Sequence, residues 1–75
     1  MAATVTVRYW AGAKRAAGRD SDERTAATLR ELLTQLSAES DLARIIDASS
    51  YLVDGKQCDD DAVLHDGAVV DVLPP

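Results

Sequence analysis

The segment Asp66-Gly67-Ala68-Val69-Val70-Asp71-Val72-Leu73-Pro74-Pro75 decides the fold of this 75-residue chain. Its glycine predicts a turn, and its three β-branched valines favour a half-buried strand. The two prolines lack an N–H and hold φ near that of an extended chain, so they end the strand and direct the chain outward. We therefore expect a packed C-terminal strand with a stiff, extended exit.

A second strand is predicted at the other end of the sequence, because Thr4–Ala11 alternates between apolar and other residues. The face expected to pack in the core carries Val5, Val7, Tyr9 and Ala11. Trp10 falls on the opposite face or at its rim. An exposed tryptophan is typical of interface hot spots, but a ring folded over the sheet edge of its own domain is at least as common an arrangement.

The segment Thr28–Ala38 is the clearest helix. Thr28 and Glu31 have the spacing of a capping box. An apolar stripe with helical spacing follows, formed by Leu29, Leu32, Leu33 and Leu36. We expect this stripe to lie on the sheet.

Shorter elements fill the rest of the chain. Gly12–Gly18 predicts a connection with one helical turn, and the polar segment Arg19–Thr25 predicts an exposed edge strand. Ser40 or Asp41 is expected to cap a further short helical turn.

A hairpin is predicted near residue 54. Tyr51–Val53 and Lys56–Cys58 flank Asp54-Gly55, a dipeptide that favours a two-residue turn. With the helix between an N-terminal hairpin and the later strands, the first and last strands can lie side by side as a parallel pair. The fold class is therefore α+β, a β-grasp (ubiquitin-like) roll with a four- to five-stranded mixed sheet and one main helix, as a single domain over residues 1–75.

Charge is distributed unevenly along the chain, whose net charge is −5. Residues 1–30 carry six basic and three acidic side chains (+3), whereas residues 31–75 carry two basic and ten acidic ones (−8). This argues against nucleic acid or an anionic membrane as a partner, since both require clustered positive charge. A partner with a basic surface fits the acidic half, although the acids can equally serve only solubility.

The sequence contains no combination of residues that we expect to catalyse a reaction unaided. His65 is the only histidine and falls in a turn. Cys58 precedes three acids that oppose a thiolate, so we expect a small packed side chain; a lone cysteine also fits a reducing cytoplasm. Asp59–Asp61 cannot all face one ion, so a solvated loop is expected rather than a metal site. The N-terminus shows no signal-peptide pattern, and a cytoplasmic location is expected.

Binding and delivery are then the functions to consider. If Val70 and Val72 face the helix, Asp71 and Leu73 face away by the two-residue period, beside Trp10 on the first strand. Trp10 and Leu73 would form an exposed apolar patch where the proline exit begins.

The segments Val7–Ala11, Leu52–Gly55 and Leu64–Pro75, with the leucine-rich helix after Thr28, resemble the small subunits of molybdopterin synthase, a branch of the ubiquitin-like sulfur-carrier family. The resemblance covers nearly the whole chain. It implies that the chain continues beyond Pro75 to a Gly-Gly terminus. It also implies that a ubiquitin-activating-like adenylyltransferase uses ATP to adenylate the terminal carboxylate, which becomes a thiocarboxylate. On the same resemblance, the tail is expected to enter the large catalytic subunit, which builds the dithiolene of molybdopterin.

Within this resemblance the chain binds no cofactor, holds no catalytic residue and acts as a carrier. Leu73, Pro74 and Pro75 form the tail root. The partner interface is expected to use Trp10, Leu73, Arg8, Lys14 and Arg15. The sequence departs from the family pattern at Ala68, where an acid is common, and in having no Gly-Gly after Pro75.

Three interpretations remain open at this point. A longer natural tail would make the chain a carrier for molybdopterin synthase. The same carrier chemistry could serve thiamine or cysteine synthesis instead. A chain that stops at Pro75 would be a truncated relative or a β-grasp interaction module without covalent chemistry.

Overall fold

Strands and helices follow one another as expected of an α+β roll in the computed structural model, which describes residues 2–39 and 41–75. The strands are β1 (Ala3–Tyr9), β2 (Ser21–Ala26), β3 (Ser50–Val53), β4 (Lys56–Gln57) and β5 (Val69–Leu73). The helices are α1 (Ala11–Ala17), α2 (Leu29–Ser37) and α3 (Ala43–Ala48).

The five strands form one mixed sheet in the order β2-β1-β5-β3-β4. β1 and β5 are parallel, with Val7 opposite Val70, and the other neighbours are antiparallel. The last strand of the chain is therefore the central strand of the sheet. This confirms the predicted β-grasp arrangement, including the parallel pair formed by the first and last strands.

The core lies between the sheet and the helices. Alternation along β1 places Val5, Val7 and Tyr9 against the helices, as predicted. The apolar stripe of α2 meets them, and Leu29, Leu32 and Leu36 are fully buried. Leu33, the fourth residue of the predicted stripe, is only partly buried and packs at the margin of the same core.

The N-terminus of α2 has the predicted capping box. The hydroxyl of Thr28 accepts a hydrogen bond from the backbone N–H of Glu31 at 3.3 Å. The carboxylate of Glu31 accepts from the N–H groups of Thr28 at 3.3 Å and Ala27 at 2.7 Å. Three N–H groups at the helix start thus have partners within the motif.

The β3–β4 turn also fastens the central strand. Asp54 and Gly55 both have positive φ, 51° and 81°, as the predicted hairpin requires. Asp54 then exchanges two hydrogen bonds with Val69, because its N–H donates to the carbonyl of Val69 at 2.8 Å and its carboxylate accepts from the N–H of Val69 at 3.0 Å. The turn thereby holds the first residue of β5.

Strand β2 is the exposed edge strand that the polar segment predicted, but two of its charged side chains face inward. Asp22 and Arg24 share a network with Arg19 and Glu39, in which Arg24 lies 2.9 Å from Asp22 and 2.7 Å from Glu39. Burial opposes the charge on Asp22, but hydrogen bonds from Arg19 and Arg24 outweigh it and lower the pKa of the Asp22 carboxyl. The network fastens the edge strand to the segment that follows α2.

The structure corrects the predicted boundary between β1 and the next segment. Ala11 does not continue the strand: it has a φ of 47° and begins α1. α1 is a seven-residue helix where one helical turn was predicted. Ala13 is fully buried and Ala16 and Ala17 pack against the core, so contacts with the core stabilise a helix longer than one turn.

The predictions for Asp41 and Cys58 are wrong. Asp41 does not cap α3, which begins after Leu42 without a side-chain cap; the alternative, Ser40, lies outside the described residues. Cys58 is exposed rather than packed, because β4 ends at Gln57, before the cysteine.

Within the described ranges, none of the helices is long and apolar enough to span a bilayer.

Replacing Thr28 by alanine should lower the free energy of unfolding by about 1 kcal/mol, because the N–H of Glu31 loses its acceptor at the helix start. Urea denaturation measures the change. Thr34→Ala is the matched control, since Thr34 is an exposed threonine within the same helix and alanine is the better helix former there. Equal losses in the two variants would contradict a role for the capping box.

The pair formed by His65 and Asp54 should make stability depend on pH. Both ring nitrogens of His65 face oxygens, Nδ1 the carbonyl of Asp66 at 2.9 Å and Nε2 the carboxylate of Asp54 at 2.6 Å. These bonds raise the pKa of His65, the carbonyl of Asp66 most. The stabilisation is therefore fully present below the unfolded pKa, about 6.5, and is lost as the pH rises through the higher folded pKa.

Urea midpoints of the wild type and His65→Gln should accordingly differ at pH 5.5 and converge at pH 9. In an Asp54→Asn background the difference at pH 5.5 should shrink, because the carboxylate partner is gone. A difference of the same size at both pH values would show that the charged form of His65 has no stabilising role.

Candidate functional site

The candidate site lies on the outer face of the sheet, opposite the helices, at the end where β1 and β5 finish. Since side chains alternate along a strand, Arg8 on β1 and Asp71 on β5 both point to this face. The parallel register places them directly opposite each other. Leu52 on β3 lies opposite Asp71 on its other side.

Trp10 joins this face because the backbone stays extended for one residue after β1, with φ −117° and ψ 149°. Its carbonyl then accepts from the N–H of Ala13 at 3.0 Å, which starts α1. The indole therefore lies two residues beyond Arg8 on the same side of the chain. It is 46 % exposed, in agreement with the prediction of an outward-facing tryptophan.

Arg8, Trp10 and Asp71 form one hydrogen-bonded cluster. Asp71 Oδ1 accepts from Arg8 Nε at 2.6 Å and from Trp10 Nε1 at 2.9 Å, and Oδ2 accepts from Arg8 Nη2 at 3.0 Å. The guanidinium carbon of Arg8 lies 5.5 Å from the centre of the Trp10 ring, within the range of a cation–π contact.

The carboxylate of Asp71 is charged although it is buried. Only 5 % of the residue is exposed, and burial by itself would favour the neutral acid. The hydrogen bonds from Arg8 lower the pKa of Asp71 by more than burial raises it, and the bond from Trp10 adds to the lowering. The cluster thus pairs one negative with one positive charge, with the guanidinium over the face of the Trp10 ring and the carboxylate at its N–H edge.

The tail root continues from the same strand. Leu73, two residues after Asp71, is partly buried on the same face, and β5 ends there. Pro74 and Pro75 follow outside the sheet, as the missing proline N–H groups require. Because Tyr9 and Val72 are register partners, Trp10 and Leu73 lie at the same end of neighbouring strands.

A pocket of about 320 Å³ adjoins the cluster and is lined by Arg8, Tyr9, Trp10, Lys14, Asp20 and Ser21. Lys14, on α1, is therefore near Trp10 and Arg8, and its ammonium group lies 2.6 Å from Asp20. Arg15, the other basic residue assigned to the interface, is exposed on α1 but does not line this pocket.

A second, larger pocket lies on the helical side of the domain and includes none of the predicted site residues. It measures about 450 Å³ and lies between α2, α3 and the loop containing Asp60. The guanidinium of Arg30, which lines this pocket, is paired with Asp61 at 2.9 Å. Size alone does not make it the site, since its lining includes neither the tail root nor the cluster of Arg8, Trp10 and Asp71.

The residues set aside by sequence reasoning do not assemble elsewhere. His65 is an exposed turn residue, as expected, and pairs with Asp54. Within residues 2–39 and 41–75, no group of histidine, cysteine and acidic side chains could hold a metal ion. Asp71 is the functional candidate that sequence reasoning missed. The sequence signal for Asp71 is an acid in the middle of an apolar strand. Its register with Arg8 cannot be read from the sequence.

Comparison with known proteins agrees with this geometry. The family model described as the ThiS family matches residues 7–75. No curated protein matches the sequence. Among solved structures, the chain is similar to a putative molybdopterin converting factor, subunit 1, from Pyrococcus furiosus, with 27 % identity, a TM-score of 0.89, and coverage of 97 % of this chain and 98 % of the other.

Two further solved structures are similar over almost their whole length. One is the complex of subunits 1 and 2 of molybdopterin-converting factor from Helicobacter pylori, with 25 % identity, a TM-score of 0.81, and coverage of 96 % and 93 %. The other is the small archaeal modifier protein 1 of Methanosarcina acetivorans, with 19 % identity, a TM-score of 0.88, and coverage of 100 % and 95 %, which supports the fold alone.

These comparisons confirm the resemblance to ubiquitin-like sulfur carriers that the sequence segments indicated, and the β-grasp fold with it. The chain belongs to the ThiS family.

Proposed function

We propose that this chain is the sulfur-carrier subunit of molybdopterin synthase, acting in molybdenum cofactor biosynthesis. The observation that carries the proposal is the position of β5, which is the central strand of the sheet, ends at Leu73 and is followed by Pro74 and Pro75. Similarity to subunit 1 of the molybdopterin converting factor supports it, at 25–27 % identity over nearly the whole chain.

The fold suits a carrier because it fixes the base of a tail without enclosing its end. β5 is paired with β1 on one side as far as Val72 and with β3 on the other as far as Leu73, so the strand is held up to the start of the proline exit. Pro74 and Pro75 cannot extend either ladder and keep the chain extended. A tail that follows them can enter a partner's site while the domain stays folded outside it.

The reactive group in this proposal is the terminal carboxylate of a Gly-Gly sequence beyond Pro75, as the family resemblance implies. Attack of that carboxylate on the α-phosphate of ATP forms an acyl-adenylate and releases pyrophosphate. Sulfur at the sulfide level then attacks the acyl carbon, AMP leaves, and the product is a thiocarboxylate. Glycine suits this position because a tail without side chains passes through a narrow channel.

The catalytic groups belong to the partners in this scheme. A ubiquitin-activating-like adenylyltransferase binds ATP, and the large catalytic subunit of molybdopterin synthase takes the sulfur. The solved complex of subunits 1 and 2 from Helicobacter pylori supports a large-subunit partner. The chain itself is a carrier that binds no cofactor, and the proposal places it in the cytoplasm.

The proposed interface is the outer face around the tail root together with the exposed side of α1. Trp10 and Leu73 are its apolar anchors, and its basic residues are Arg8, Lys14 and Arg15. A partner that receives the tail must lie against the end of the sheet where the tail leaves, and Trp10 and Leu73 are at that end.

The ThiS family match is compatible with the same carrier chemistry in thiamine or cysteine synthesis.

The decisive experiment uses the full natural chain, incubated with ATP, a sulfur source and each candidate adenylyltransferase from the same organism. We expect intact-mass analysis to show replacement of one oxygen by sulfur, and the product to support molybdopterin synthesis with the large subunit. A chain truncated after Pro75 is the matched control and should stay unmodified.

Two results would overturn the proposal. A natural chain that ends at Pro75 and is never adenylated, yet binds its partner, would identify a β-grasp interaction module. A thiocarboxylate that supports thiamine or cysteine synthesis but not molybdopterin synthesis would keep the carrier chemistry and change the pathway.

Replacing Trp10 or Leu73 by alanine should weaken association with the large subunit by about 1–3 kcal/mol, because each change removes an apolar anchor at the tail root. Calorimetric titration measures the loss. Thr25→Ala, on the exposed edge strand, should bind as the wild type does. If either anchor variant unfolds while its folded fraction binds normally, that side chain supports the domain and not the interface.

A further inference from the structure

Asp71 is the one buried polar or charged residue in the part of the chain that the structure describes. A carboxylate in such a place is costly unless donors surround it. Here three N–H groups do so, two from Arg8 and one from Trp10. The acid lies beneath these two residues, whereas the side chain of Arg8 is 49 % exposed and Trp10 is 46 % exposed.

The ring of Trp10 contacts both Arg8 and Asp71 on the outer face. Trp10 follows the last residue of β1 and precedes Ala11, where the positive φ turns the chain away from the sheet. Its indole N–H donates to Asp71 at 2.9 Å, a directional contact at the edge of the ring. Arg8 binds both oxygens of Asp71, which fixes the carboxylate in turn.

We propose that Asp71 is a positioning residue that holds Trp10 in a preformed docking orientation, so that the large subunit contacts the ring and Arg8 but not Asp71 itself. The inference rests on the proposed function for the identity of the partner. Preorganisation matters because a ring that is already fixed loses less conformational freedom when it is buried by a partner.

The cluster also indicates the chemistry of the partner surface. Arg8 and Asp71 neutralise each other, so the exposed ring and the adjoining pocket of about 320 Å³ suit an apolar side chain. The bonds to Asp71 use Nε and Nη2 of Arg8, which leaves N–H groups of the guanidinium for a carbonyl or carboxylate oxygen of the partner. The large-subunit patch is expected to combine these two features.

The first measurement concerns Trp10 alone and needs no partner. Trp10 is the single tryptophan, so the indole gives one N–H signal in a ¹H–¹⁵N spectrum. In the wild type we expect the indole to be as rigid as the backbone. Asp71→Asn leaves one acceptor oxygen for two donor residues, so the indole should become partly more mobile. Asp71→Ala removes both oxygens and should increase the mobility of the indole further. Glu23→Gln is the matched control, because it removes the same charge at an exposed position of the same face. It should leave the rigidity of the indole unchanged.

The second measurement is a double-mutant cycle on binding to the large subunit. Asp71→Asn should weaken binding by roughly 3- to 30-fold, and the same change should cost several-fold less in a Trp10→Ala background, where only its effect on Arg8 remains. Additive effects would overturn the proposal, since Asp71 would then act independently of the ring.

Trp10→Phe keeps the inference testable if the Asp71 variants fold poorly. It retains an aromatic ring and the Arg8–Asp71 pair but removes the N–H donor, so it should bind less tightly than the wild type. Wild-type affinity in Trp10→Phe, or an indole equally rigid in Asp71→Ala, would overturn the positioning role. Absence of any binding by the wild-type chain would instead overturn the proposed function, while the indole measurement would still decide what Asp71 does to Trp10.

Discussion

The parallel pairing of β1 with β5 is the constraint on which the rest of the structure depends. Parallel strands cannot be joined by a tight turn and need a long crossover, which here contains β2, all the helices and the β3–β4 hairpin. The pairing places the last strand at the centre of the sheet and sets Arg8 opposite Asp71, 63 residues away in sequence. Both the position of the tail root and the cluster on the outer face follow from this one register.

Local sequence signals predicted most of the elements because their causes are local. The capping box at Thr28 and the turn at Asp54-Gly55 depend on residues a few positions apart, and both have the expected geometry. Alternation in β1 correctly separated buried from outward-facing residues. The predictions for Ala11 and Cys58 failed because helix packing and an early strand end decide them, and neither leaves a local signal.

The candidate site could be predicted only in part for the same reason. The outward position of Trp10 and the end of β5 before the prolines follow from periodicity and proline chemistry. The hydrogen bond between Trp10 and Asp71 does not, because it depends on the register between strands at opposite ends of the chain. The basic residues show the same limit: helix geometry brings Lys14 to the pocket and leaves Arg15 outside it.

The central position of β5 also has a mechanical consequence. Force applied to the tail along the axis of β5 would stretch its hydrogen bonds to β1 and β3 together, in shear, instead of peeling them apart one at a time. An edge strand such as β2 has only one ladder to resist such a pull. A pull on the proline exit at Pro74 and Pro75 would therefore be resisted by two ladders at once before the sheet could unravel.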